Sequence, residues 1–570
     1  MEKRSAAEAP AGLWPPMRRL LAKLNPDVAF YFVLLFLVWG LAALRRGTWQ
    51  DDTLHLRLAR VFEGQGFFAA FTPVSTPLRR LYSLPFIAAF ATPQPVWTLH
   101  AIYGLLWLGQ ALAAGWILHL LFPEERLTRF AVICLTLTAS SDYLTDNLTA
   151  LGYNVAVFAL LIAIGCALRY LDGGRISWLA LSSAAIAWSV WTLDVAFPAL
   201  PFLPLLLLWH GRPRAWRRLL LFATVWALTL APAARTEWRF LHLKVGYGAV
   251  AMKPLSTMER ISRTRELWFE NFRPWRWAFS HPVWYPRPPA EIGLGFMATA
   301  AALGALWFWI RARRVPPVEP STSPPRMLAL AALFAVMALA ANAAYAGIQM
   351  SEIHYRTHVL SRIWASFAIA VGMGYALHGW PRWRAFLLLV PAAFVGFGVW
   401  GGLERQDLWV STWKLHQREL LSIVEAAPAL APGTSILLRG GPNTDRYLAT
   451  EADYLAQSWL VLLYDDPEIH SLRWTPDRGT GCLPTPSALA CWHEQKAACF
   501  AAGTCEGDLF PYDQTVILDF DDRKGIYRLL ADPSRDPLLA GVEGISTLYR
   551  PMERIVKRPL TARQRAFLLR

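Results

Sequence analysis

The recurrence of apolar runs long enough to cross a lipid bilayer constrains this chain more than any other feature. A membrane-spanning helix needs about 17 to 25 mainly apolar residues. Runs of that kind lie near 28–44, 97–121, 128–142, 150–171, 177–192, 196–209, 217–234, 292–310, 327–347, 361–379 and 385–402, about eleven in all. With 55% hydrophobic and 17% charged residues in 570, and a mean hydropathy of +0.29, the chain is too apolar for an ordinary soluble protein of this length. Its first solvent is lipid. Two stretches stay open: Pro198, Pro201 and Pro204 allow one long broken helix or two short ones, and Leu81–Ala91 is either re-entrant or a further span.

The net charge of +15 does not point to nucleic acid, because Lys and Arg cluster between the apolar runs. The positive-inside rule and anionic headgroups account for them there. Arg126 and Arg129, Arg175, then Arg212, Arg214, Arg217 and Arg218, then Arg311, Arg313 and Arg314, then Arg382 and Arg384 all fall on one side, which is read as cytoplasmic. Residues 140–149 and the turn at Asp194 carry no Lys or Arg. Arg45 and Arg46, beside the first span, oppose the pattern locally. Residues 1–27, with Lys3, Arg4, Arg18, Arg19 and Lys23, form a cytoplasmic segment before an uncleaved signal anchor. Residues 28–402 form the transmembrane domain, with outer loops 45–96 and 235–291. Residues 403–570 follow as an extracytoplasmic tail.

In that tail hydrophobicity drops and strand-like runs occur at Thr434–Leu438, Gln514–Phe520 and Gly525–Leu530, the last two separated by Asp521-Asp522-Arg523-Lys524 as a hairpin turn. An α/β or mostly β fold is expected. Four of the six cysteines, Cys482, Cys491, Cys499 and Cys505, lie close together here, which suits disulfides in an oxidising compartment. Their pairing is open. Zinc competes, but no Cys-x-x-Cys occurs and His493 is the only close histidine.

Chemistry is expected on the outer face. Asp51 and Asp52 sit just past the first span, where a carboxylate pair is costly to hold near lipid. One of them could instead N-cap the next helix. His55 follows three or four residues later, so on a helix it shares their face and forms a carboxylate–imidazole set suited to proton transfer. No cofactor is expected, and a divalent metal on this trio lacks a further ligand set of fixed spacing. Asp142 and Asp146 lie in the second outer loop, where capping competes with substrate binding. Asp194 is the one acid in a long apolar stretch. Arg235, Arg239 and Lys244 follow the seventh span, and His354, Arg356, His358 and Arg362 lead into the tenth. These groups suit a phosphate, and headgroup contact is the alternative. Trp268, Phe269, Phe272, Trp275, Trp277, Phe279, Trp284 and Tyr285 read as an interfacial aromatic belt, or as a stacking surface for a sugar or isoprenoid. No Walker-type loop and no Gly-x-Gly-x-x-Gly opens a helix, so a nucleotide is not the expected donor.

This layout resembles the GT-C superfamily of polytopic glycosyltransferases, especially bacterial relatives of protein O-mannosyltransferases and of the lipid A aminoarabinose transferase. The resemblance covers roughly 28–402. Asp51-Asp52 stands where the superfamily places an acidic pair or a single Asp, with Asp-Asp replacing the Asp-Glu of many relatives. Thr76-Pro77-Leu78-Arg79-Arg80-Leu81 resembles the loop leading into the next apolar segment, and Asp194 an acid found midway through such chains. The resemblance implies a mainly α, GT-C-type bundle in a bacterial inner membrane. It implies a sugar transferred from a polyprenyl-phosphate donor to an envelope acceptor on the outer face, with one aspartate of the pair, preferably Asp51, as general base. Membrane lipid is the other partner, and nucleic acid is not one. A transporter or flippase is the main rival, although no internal repeat is visible. A non-catalytic scaffold of the same layout is the second.

Overall fold

The computed structural model describes residues 26–43, 56–57, 79–139, 150–210, 216–243, 256–279, 290–314, 324–343, 353–441, 453–466, 468–474, 481–492 and 508–568. The chain is a mainly α helical bundle, followed by a tail with two sheets. Helix α1 (Pro26–Leu35) continues through a π turn to Ala43. It is followed by α2 (Leu84–Phe90), α3 (Pro95–Leu121), α4 (Arg126–Thr138), α5 (Leu151–Gly173), α6 (Ile176–Thr192), α7 (Leu203–His210) and α8 (Trp216–Leu243). After the amphipathic α9 (Thr257–Glu270) come α10 (Ala290–Arg314), α11 (Pro324–Ala343), α12 (Ile353–Gly379) and α13 (Leu389–Ala426). Among the described residues each expected apolar run coincides with helix, and six helices are long and apolar enough to cross a membrane.

Local sequence explains the interruptions. Pro198 and Pro201 lack the N–H that an α-helix would use, so a 3₁₀ stretch (Asp194–Phe202) separates α6 from α7. This selects the broken arrangement. The run at Leu81–Ala91 adds no span, because α2 has 7 residues and reaches only about 10 Å. Gly174, in the left-handed conformation at φ 68°, closes α5 and turns the chain into α6. The α5–α6 pair is then pinned by Ser182 Oγ donating to the Ala163 carbonyl and Ser189 Oγ to that of Ala156, both at 2.7 Å. Gln110 on α3 donates to Asn154 on α5 at 2.8 Å, and Asn154 donates to the Tyr103 hydroxyl at 2.8 Å. Such bonds matter in a bundle whose surroundings are as apolar as its core.

Helix α13 runs without a break out of the bundle and under the tail. The tail's larger sheet contains β1 (Ser435–Arg439), β2 (Ser471–Trp474), β6 (Thr515–Asp521) and β7 (Ile526–Leu529) in the order β2-β1-β6-β7. Strands β1, β2 and β6 are parallel, and β7 is antiparallel to β6 through a turn closed at Gly525. Period-2 alternation puts Ile436, Leu438, Val516 and Leu518 into the large core with Trp413, Leu420 and Ile423 of α13 and Trp459 of helix α14 (Asp453–Tyr464). Leu437, Leu472 and Ile517 face a separate core with Tyr549, Leu539 and the small sheet β3 (Gly481–Pro484), β4 (Ala488–Trp492) and β5 (Asp508–Pro511). Cys482 and Cys491 stand opposite each other on β3 and β4 and form a disulfide. Cys499 and Cys505 lie outside the described residues.

Candidate functional site

The segment Arg79–Ser83, which ends the first long loop, is held by the bundle at two points. The Leu81 N–H donates to the Trp191 carbonyl at 3.1 Å, tying the segment to the end of α6. Tyr82 is buried and lies so close to Gly152 that a Cβ there would meet its ring at 2.0 Å, so only glycine allows the approach. Pro85 then starts α2. The two arginines have different surroundings. Arg79 lies over the Tyr82 ring at 5.5 Å, and its guanidinium acts electrostatically on Asp194 and on Glu237 of α8, which also feel each other. Arg80, exposed, lies over the Trp191 ring at 5.6 Å and lines a cavity of about 390 Å³ with Trp188 and Trp191.

A second cavity, of about 570 Å³, runs between α2, α3, α5 and α6. Its lining, including Leu106, Phe158, Ile162, Leu181 and Trp188, is entirely apolar. It shares Ala184 and Trp188 with the Arg80 cavity, so an apolar groove adjoins a basic, aromatic one. This can accept a molecule with a long apolar part and one anionic head.

Of the residues singled out in the sequence, Asp194 belongs to this constellation. Arg235 and Arg239 are exposed on α8, on either side of the partly buried Glu237. Asp51, Asp52, His55, Asp142 and Lys244 lie outside the described residues, and His354 and Arg356 are on the first turn of α12 with side chains outside the description. Two neighbours of the acidic pair are described. Leu56 is fully buried, and Arg57 donates to Gln457 of α14 at 3.1 Å, so the first loop docks on the tail. Arg362, also buried, donates to the Ala139 carbonyl at 3.3 Å and lies 5.1 Å from the Trp107 ring centre. It therefore anchors the end of α4 where the loop bearing Asp142 begins. Among the described residues no group of three or more His, Cys, Asp or Glu is placed to hold a metal.

Sequence reasoning missed Glu237 and the parts played by Arg79 and Arg80. A signal for Glu237 was present: it is the only acid in α8, as Asp194 is in its own apolar stretch. The neighbouring arginines hid it.

No family model matches the chain, and no curated protein matches it. Among solved structures it is similar to ArnT from Cupriavidus metallidurans bound to undecaprenyl phosphate, with 13% identity and a TM-score of 0.37 over 80% of this chain and 90% of that one. The same protein in the apo state gives 13% identity and a TM-score of 0.39 over 89% and 94%.

Proposed function

We propose that this protein is a membrane glycosyltransferase that moves a sugar from a polyprenyl-phosphate donor to an envelope acceptor at the extracytoplasmic face. The carrying observation is that the apolar groove and the cavity at Arg80 adjoin at Ala184 and Trp188. The isoprenoid lies along Leu106, Phe158 and Leu181, and the phosphate meets Arg80. A guanidinium offers a planar set of donors to phosphate oxygens, and Trp191 beneath it holds that plane in place. Arg79 acts electrostatically on Asp194 and Glu237, so this group sets the position of the segment, and the exposed Arg80 supplies the positive charge at the cavity.

Asp51 acts as general base, with Asp52 as its support. The acceptor hydroxyl gives its proton to Asp51 while its oxygen attacks the anomeric carbon. The bond from that carbon to the phosphate oxygen breaks, and polyprenyl phosphate leaves with the bonding pair. Direct displacement inverts the anomeric configuration. The charge growing on the phosphate is stabilised by Arg80.

The test supplies labelled polyprenyl-phosphate sugar to membranes containing wild type, Asp51→Asn or Arg80→Ala. Asp51→Asn is expected to lose transfer while still binding donor, and Arg80→Ala to bind donor more weakly. Equal transfer by wild type and a normally folded Asp51→Asn refutes the base. Unchanged donor affinity in Arg80→Ala refutes the phosphate site.

A further inference from the structure

The tail carries a second site-like constellation, remote in sequence from the groove and unused by the proposed reaction. Strand register puts Trp474, Arg439 and Asp519 side by side across β2, β1 and β6 at the carboxyl ends of three parallel strands. Alternation places this row on the face that also carries Leu437. The chain leaves β1 for β2 on one side and returns to β6 on the other, and such a reversal is where open parallel sheets form a ligand crevice. A cavity of about 370 Å³ lies there, lined by this row together with Gly440, Phe520 and Asp536.

The crevice is built before any ligand arrives. Arg439 donates to Asp519 and to Asp536, both at 2.5 Å, and lies 5.8 Å from the Trp474 ring centre. Asp536 is buried and also accepts from the Leu538 and Leu539 N–H groups, so it fixes the arginine from behind. Asp519 is about a third exposed and faces solvent. Gly440, at φ 74°, donates its N–H to the Trp474 carbonyl at 2.9 Å. Its own carbonyl accepts from Arg473 Nε and the Tyr527 hydroxyl, both at 3.2 Å. The edge bearing Trp474 is therefore held in place.

We propose that this crevice binds a neutral carbohydrate, with Trp474 stacking on the apolar face of a sugar ring and Asp519 accepting hydrogen bonds from its hydroxyls. The charge pattern decides the class. Among the lining residues two carboxylates stand against one guanidinium, a negative balance that disfavours phosphates and nucleotides. The guanidinium occupies the space between the acids, which leaves no cation site. A flat ring beside fixed polar groups matches a molecule that is apolar on one face and hydroxylated at its edge. The inference stands apart from the transferase reading, because neither Asp51 nor the groove enters it.

The test uses the full chain in detergent and fluorescein-tagged linear tetrasaccharides of glucose, mannose and galactose, followed by fluorescence anisotropy. At least one is expected to bind saturably, with Trp474→Ala weakening binding at least about tenfold and Trp474→Phe, which keeps a flat ring, staying within about threefold. Asp519→Ser on the exposed acid is expected to weaken binding about fivefold, and it carries the test if Trp474→Ala does not fold. No saturable binding of any of the three, or full binding by folded Trp474→Ala or Asp519→Ser, overturns the proposal. Farnesyl phosphate is expected not to compete. Displacement of the sugar by it would assign the binding to the groove and overturn the proposal as well. Failure of Asp51→Asn to lose transfer leaves these outcomes unaffected, so the two readings fail separately.

Discussion

The bundle and the tail each hold one arginine against two acids, and they do so in opposite ways. In the tail, Asp519 and Asp536 hold Arg439 at 2.5 Å, and the set is locked by backbone donors behind it. Burial works against the charge on Arg439, yet its bonds to Asp519 and Asp536 outweigh that and keep the guanidinium above its ordinary pKa. In the bundle, Asp194 and Glu237 come from separate helical segments and respond to Arg79 through its charge. One arrangement fixes a surface in advance. The other leaves a neighbouring cation, Arg80, beside an apolar groove. One guanidinium and two carboxylates thus make a hydrogen-bonded set in one place and a longer-range electrostatic set in the other.

This contrast can be broken by substitutions that take away activity in one half and stability in the other. The largest effect is expected from Asp51→Asn, which should lower transfer about 10²- to 10⁴-fold in the labelled-donor assay without moving the thermal unfolding of the tail. Next comes Arg439→Leu. It leaves Asp536, only 3% exposed, as a buried charge without its partner, so the tail should lose about 3 kcal/mol in denaturant unfolding while donor binding is kept. If Arg439→Leu abolished donor binding instead, the division between the halves would be wrong. Arg80→Ala should raise the donor Kd about tenfold, the worth of one charge-assisted phosphate contact, with the tail unaffected.

The smallest effect concerns α9. Its capping box has the Glu259 carboxylate accepting from the Ser256 N–H at 2.7 Å, and bonds from the Ser256 side chain and backbone hold the Glu259 pKa below its ordinary value. A carboxylate with a lowered folded pKa stabilises above its ordinary pKa, and the contribution disappears as pH falls through the lowered value. Hydrogen exchange at residues 256–260, corrected for the intrinsic rate, should therefore show the start of α9 fraying only on acidification past the carboxylate range. Fraying that began near neutrality would assign the cap to another group.

Much of the helical part was legible because a lipid-facing helix announces itself by length and apolarity alone. The run at 150–171 appears as Leu151–Gly173, and that at 97–121 as Pro95–Leu121. The hairpin at Asp521–Gly525 was legible for a similar reason, since turn residues act locally. Asp194 could be singled out as a lone acid in an apolar stretch, but nothing local told that Arg79, more than a hundred residues earlier, would stand beside it. Glu237 was obscured by its neighbours Arg235 and Arg239, whose charges read as one basic group until the helix separated them by face. Nor did cysteine spacing select Cys482–Cys491. The pairing depends on the antiparallel register of β3 and β4.

By itself, then, the sequence determined that this chain lives in a membrane, where its helices run, and that a strand-bearing tail follows the last one. These properties are set by local physics: hydropathy over a helix length and turn chemistry. Tertiary structure alone decided that a 3₁₀ stretch, a loop end and α8 assemble one charged cluster, and that an apolar groove opens beside Arg80. It also decided that Trp474, Arg439 and Asp519 form a row across three strands. Those facts depend on crossing angles and register between distant segments, and no local pattern encodes either.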